Sequence, residues 1–315
     1  MKQLLSILFI LVSQKSFSQK YQHFYDYNWK VCDVSTASFL TTFEKKGDLW
    51  EREDFYIHTR SSQMQGSYKD TSFKVPHGLF NYYYYNKNLQ YTGKYIDGKK
   101  EGLWLSYHLN TMMSDSSFYK NNQVIGTSLS WHPNGFLSDS SFYNEDGSGI
   151  SVKWFEDGSI ASAGRYSAGM KKHATWQYFH RNGKISALIV YDNGVTKEKQ
   201  YFNEEGSQVD TTGRDHEAIF KGGLKGWKQY ISSKAYFPRG YQIVNADIAA
   251  VTVEAVVDEE GKIGNINLIA PFHKVMNEIV VEALQRAPKW QPAIQFNRPV
   301  KYKIQQTVFF QQSEE

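Results

Sequence analysis

Residues 126–143 read GTSLSWHPNGFLSDSSFY, and the pattern of this stretch recurs along the chain. A small residue, Gly126, comes five residues before a ring, Trp131, and a second ring, Tyr143, follows twelve residues later. The same spacing gives Gly78, Tyr83 and Tyr95, then Gly102, Tyr107 and Tyr119. It continues with Gly149, Trp154 and Tyr166, then Ala174, Phe179 and Tyr191. The small residues fall 24, 24, 23 and 25 positions apart. Tyr56 and Tyr68 share the spacing of twelve, which marks an earlier, less regular unit. Self-similarity at such a period is the signature of a repeat architecture.

Turn chemistry follows the same period. Asn134-Gly135, Asp157-Gly158 and Asn182-Gly183 each begin three residues after a first ring, and Glu205-Gly206 follows Phe202 in the same way. Asn-Gly and Asp-Gly suit the positive φ of tight hairpin turns. A second turn follows the second ring, ending at Gly98, Gly169 and Gly194. Two turns per period imply two strands per period, so the spacing predicts a meander of antiparallel hairpins. A lone hairpin buries too little to be stable, so each unit must lean on its neighbours.

His108, His132 and His180 share one register, directly after the first ring, and Phe155 takes that place in the intervening unit. Such a column reads as a metal site, as a pH-sensitive ladder, or as a solvated stripe beside the aromatic face, which is the simplest of the three. The twin segments 113–119 and 137–143 read most simply as repeat copies, because no positioned base accompanies their serines.

Outward from the array, the N-terminal stretch Met1 to Gln19 carries Lys2, a nine-residue apolar run from Leu4 to Val12 broken by Ser6, and Ser16-Phe17-Ser18 before Gln19. That order reads as a cleavable signal peptide. The apolar run is well short of the about 20 residues a membrane-spanning helix needs. The 315 residues hold 22 Tyr, 20 Phe and 8 Trp, with a formal net charge of +4 and no Lys/Arg run, which argues against a nucleic-acid partner. The single cysteine, Cys32, excludes an intramolecular disulfide and reads as a half-buried small residue, and no Cys-x-x-Cys seeds a zinc site.

After about Asp210 the periodicity changes. Leu224 to Ile231 has the spacing of a short amphipathic helix. Val251–Val257 and Ile263–Ile269 read as strands around the turn Asp258 to Gly261, Val275–Arg286 as a helix stopped by Pro288, and Val300–Phe310 as a last strand. The expected fold is therefore an all-β repeat array followed by a small α+β domain, with helices on one face of a three-stranded antiparallel sheet. The divisions are 1–18 (signal peptide), 19–76 (β-rich with an irregular first repeat), 77–210 (hairpin repeats) and 211–315 (α+β domain).

The repeat signatures over roughly Tyr56 to Asp210 resemble the MORN repeat, in the variant of the YwqK-type antitoxins. Further on, Phe220-x-Gly-Gly223, Tyr236-x-Pro238, the strand ending at Val257 with Asp258-x-x-Gly261, Ala283-Leu284, Pro288-x-Trp290-x-Pro292 and Arg298-Pro-Val300 resemble the TonB C-terminal domain. That resemblance implies a periplasmic or outer-membrane-associated protein. Its C-terminal domain would bind a peptide segment of an outer-membrane receptor, or of another envelope partner, as an added strand. It further implies that Tyr236 and Pro238 flank the peptide groove. The run Lys301, Tyr302, Lys303, Ile304, Gln305, Gln306 and Thr307 would present the pairing edge, with Lys301 and Lys303 guarding it against self-pairing. The family's energy transducers carry an N-terminal anchor and usually a Pro-rich spacer. Here a short cleavable signal and seven scattered prolines stand instead. The expected role is an exported binding or scaffold protein; the alternative is a membrane-anchored energy transducer that keeps its N-terminal segment. An enzyme is not expected, since no carboxylate pair or phosphate loop is placed for chemistry; nor is any cofactor, metal or small-molecule substrate evident.

Overall fold

The computed structural model describes residues 20–244 and 246–312. The signal-peptide segment lies outside the described residues. Sixteen strands form one antiparallel sheet in which each pairs only with its neighbours in sequence. Four precede the regular repeats: β1 (Tyr21–Tyr25), β2 (Phe39–Lys46), β3 (Leu49–Tyr56) and β4 (Ser61–Tyr68). The repeats supply β5 (Gly78–Tyr83), β6 (Leu89–Ile96), β7 (Lys99–Tyr107), β8 (Met113–Lys120), β9 (Gln123–Trp131) and β10 (Leu137–Tyr143). They continue with β11 (Gly149–Trp154), β12 (Ile160–Ser167), β13 (Lys171–Phe179), β14 (Ile185–Asp192), β15 (Val195–Phe202) and β16 (Gln208–Val209). The first ring of each unit is the last residue of its odd strand; an Asn-Gly or Asp-Gly turn follows Trp131, Trp154 and Phe179, while Asn86-Lys87 and Asn110-Thr111 serve after Tyr83 and Tyr107, with Lys87 and Thr111 at positive φ. The less regular segment before residue 77 continues the same sheet, joined through the β4–β5 pairs Met64↔Tyr82 and Gln65↔Asn81.

The rings of one sheet face stack edge-on from unit to unit. Phe80 meets Tyr68 at 5.2 Å and Tyr95 at 5.0 Å, Tyr95 meets Trp104 at 4.9 Å, and Tyr166 meets Trp176 at 5.1 Å. This quadrupole-favoured geometry adds to the burial of each ring. Phe80, Trp104 and Trp176 stand two residues after the small residue of their units, and each fits because the adjacent strand carries glycine. A Cβ on Gly66, Gly93 or Gly164 would lie 2.2, 2.1 or 2.1 Å from those rings. In the two central units the ring is replaced by Ser128 and Ser151, and the facing glycine by Ser117 and Ser141. The Ser117 and Ser128 hydroxyls lie 2.8 Å apart. Ring with glycine and serine with serine are two ways of filling one volume.

The C-terminal part holds α1 (Gly223–Lys234), β17 (Ile248–Val257), β18 (Ile263–Ala270), α2 (Lys274–Gln285), a short hairpin of β19 (Ala293–Gln295) and β20 (Arg298–Val300), and β21 (Tyr302–Gln311). Its three-stranded antiparallel sheet has the order β18-β17-β21. Ala249, Val251, Val253 and Ala255 of β17 and Val308 and Phe310 of β21 form one core with Trp227 and Ile231 of α1 and Met276, Val280 and Leu284 of α2. Both helices thus cover one face. The expected last strand, 300–310, is divided: Val300 closes the β19–β20 hairpin, and β21 begins after Lys301. Sequence periodicity missed that hairpin because its strands are three residues each, too short to establish a period of two.

Candidate functional site

Strand β21 pairs with β17 over ten residues, from Tyr302↔Val257 to Gln311↔Ile248, and no strand lies on its other edge among the described residues. In an antiparallel ladder, residues alternate between those bonded to the partner and those whose N–H and C=O point away. Two contacts fix the phase. The Gln312 N–H donates to Asp247 O at 2.8 Å, so the even-numbered residues face β17. The Gln306 side-chain amide donates to Thr307 O at 2.5 Å on the opposite edge. The open edge therefore offers the backbone of Lys303, Gln305, Thr307 and Phe309, with the Thr307 carbonyl already engaged. Tyr302, Ile304 and Gln306 spend their backbone groups on β17, so only part of the run 301–307 presents an edge. Gln306 also accepts from the Trp227 indole at 2.7 Å, which ties the strand to α1.

The remaining residues singled out from sequence lie elsewhere. Lys301 precedes the strand, and its amine is ion-paired with Glu156 of the array. Lys303 pairs with Glu254 of β17 at 2.8 Å, on the sheet face turned towards the array. Both lysines are therefore held by carboxylates, where the sequence suggests free edge guards. Tyr236 is exposed and lines a recess between the helices with Tyr230, Ile279 and Arg286. Pro238 is buried. Ile243, five residues on, is tied to the Gln312 side chain at the end of β21. No described contact joins Tyr236 or Pro238 to the open edge.

The domain docks on one row of array turns. In that row each histidine of the column reaches forward one unit: the His108 Nε2 lies 2.8 Å from Trp131 O, His132 Nε2 2.9 Å from Trp154 O, and His180 Nε2 2.8 Å from Phe202 O. The turn asparagines run a parallel ladder, with Asn110 to Pro133 O at 2.8 Å, Asn134 to Glu156 O at 2.9 Å and Asn182 to Glu204 O at 3.0 Å. The column is thus a structural stitch between units, and its imidazoles are neither a solvated stripe nor, among the described residues, part of a group arranged to hold a metal.

One unit breaks both ladders, with Phe155 in place of histidine and Asp157 in place of asparagine. The C-terminal domain enters there. Arg298 donates to Phe179 O, the carbonyl that a histidine at 155 would have served, and to Ala161 O at 2.7 Å. Its guanidinium lies 4.7 Å from the Phe155 ring centre. Burial lowers the Arg298 pKa to about 10, and the two carbonyls and the ring face compensate the desolvated cation. Arg181 bridges Asp157 at 3.2 Å and Glu259 at 3.1 Å. At the tip of the β19–β20 hairpin, Phe296 stacks on Tyr178 at 3.6 Å, and the Asn297 amide donates to Phe202 O at 2.8 Å. Lys172 closes this site: its Nζ is 2.7 Å from the Tyr178 hydroxyl and 4.6–5.3 Å from the rings of Trp176, Tyr178, Tyr191 and Phe296. The register break at Phe155 is visible in sequence; its use as a socket is not, because the plug lies over a hundred residues downstream.

A second attachment lies at the other end of the array. Ala270 packs with Phe39 and Tyr56, Phe272 meets His58 at 5.0 Å, and Phe309 meets Tyr27 at 5.6 Å. The molecule is thus a single-layer β-meander of stitched hairpins carrying an α+β domain along one row of its turns. No family model matches the chain, and no curated protein matches it. Among the described residues no helix is long and apolar enough to cross a membrane.

Proposed function

We propose that this chain is an exported envelope protein in which the β-meander is a scaffold and the C-terminal domain captures an extended peptide from an outer-membrane receptor or another envelope partner. The finer family reading, MORN-like repeats followed by a TonB-C-like domain, belongs to this proposal and rests on the signatures quoted above. Export rests on the N-terminal pattern of Lys2 and the apolar run that follows. The observation that carries capture is the one-sided pairing of β21: a strand of this length with free outward donors is a template for a further strand. Backbone hydrogen bonds would supply affinity, and alternate side chains specificity.

The test is peptide capture by edge variants. Gln305→Pro removes an outward N–H and leaves the β17 ladder intact, as does Lys303→Pro. Each is expected to weaken binding of receptor-derived peptides by about tenfold or more, the worth of one or two backbone hydrogen bonds. Gln305→Ala should bind normally. Undiminished binding by both proline variants sinks strand addition.

A further inference from the structure

Between its two attachments the C-terminal domain stands off from the array and leaves a groove of about 500 Å³, a volume usual for small-ligand sites, which run from about 300 to 1,000 Å³. One wall is the helix-free sheet face, with Glu254, Asn267 and Lys303; the other is the turn row, with Gln90, Asn110 and Trp131. We propose that this groove binds a neutral oligosaccharide.

Charge points there first. Every ionic group facing the groove is already neutralised within it: Lys303 by Glu254, and Lys301 by Glu156, which also lies 3.9 Å from His132. Lys301 holds the Glu156 carboxyl below its ordinary value. An anionic or cationic ligand would find no unpaired countercharge. The free capacity is instead uncharged. Among the described residues the side-chain amides of Gln90, Asn265 and Asn267 have no hydrogen-bond partner, and each carries donors and an acceptor. Paired donors and acceptors beside fixed carboxylates and amines match vicinal hydroxyls. Tyr84 and Trp131 line the same cleft and supply the apolar ring surface that a pyranose covers with its C–H face. A peptide strand would lack a backbone partner at Trp131 on this wall, since its carbonyl is taken by His108. The site is distinct from the β21 edge and does not depend on it.

The test titrates the full chain with maltohexaose, cellohexaose and N-acetylglucosamine hexamer by calorimetry, in parallel with Asn267→Leu, Gln90→Leu and the groove-filling Leu109→Trp. Thermal melts of the variants check that each is folded. At least one sugar is expected to bind, with affinity little changed by salt and reduced about tenfold by loss of each amide. Gln305→Pro should leave sugar binding intact while weakening peptide capture, so the two proposals fail separately. The proposal is overturned if none of the sugars binds in the millimolar range, or if the folded groove variants bind as well as the parent. It is equally overturned if binding collapses with salt, or if the groove variants lose peptide in place of sugar.

Discussion

Glycine at position 93 is dictated by the indole beside it. The Trp104 ring occupies the space a side chain would need, 2.1 Å from a built Cβ, and its relatives at Gly66 and Gly164 make the same room for Phe80 and Trp176. Overpacking of a tight core costs roughly 1–3 kcal/mol, so Gly93→Ala should lower the unfolding free energy, read from denaturant titration, by an amount in that range. The Ser117→Gly change, opposite a serine in place of a ring, should be far milder. Lys172 provides the second prediction at this scale. Burial among four rings, with Lys153 nearby, lowers its pKa to about 8 from 10.5. Above pH 8 the unfolded chain holds a proton that the folded chain has released, so stability should rise as pH climbs from 8 towards 10. Below pH 8 the cost of the buried charge is fully present. Above 10 the buried tyrosines, raised by desolvation, reverse the trend, because the unfolded chain then loses their protons first. Denaturation midpoints across that window should climb in the parent and climb less in Lys172→Met, where burial of Lys100 still lowers one amine.

The hairpin is the element whose order was legible in sequence, and the reason is local. The first rings end their strands because a turn opening on Asn or Asp follows at fixed distance, and both C-terminal helices appear where apolar residues recur at three and four. What escaped was non-local. The ring-with-glycine pairing joins adjacent strands, so no spacing within one strand points to Phe80, Trp104 and Trp176 although they share a register. The β19–β20 hairpin offers too few residues for a pattern, and the outward phase of β21 depends on a partner strand some fifty residues away. Arg298 shows how an interruption in one element is completed by another. Removing it in Arg298→Ala leaves Phe179 O and Ala161 O unserved, at a cost of roughly 2–4 kcal/mol. In that background Phe155→His should restore part of the loss by renewing the stitch to Phe179 O, while leaving the domain unplugged. The comparison is read by melting temperature for stability and by protease cutting near residue 212 for docking. If the double variant is no more stable than Arg298→Ala alone, the shared-carbonyl account fails.

At the scale of the whole molecule, the domain is held at two places on one row of turns, near His58 and near Phe155 to Phe202. Each unit contributes two strands spaced about 4.8 Å apart. Deleting residues 126–148 would therefore bring the two attachments closer by about 10 Å. The repeat left behind would still stack, since hairpin arrays are held by neighbour contacts. The domain could then seat Arg298 or Phe272, but not both. Such a deletion should melt in two steps where the parent melts in one, with the domain's tryptophan fluorescence changing separately.

The same geometry fixes a number. A free-ended array of hairpins can gain or lose a copy by recombination between near-identical segments, and the twins 113–119 and 137–143 are the kind of sequence that invites it. Here the C-terminal domain acts as a caliper laid across the array. Only one count of repeats lets both of its jaws close, so a copying error is exposed at once as a loose domain, and the length of the meander is policed by a domain made after it.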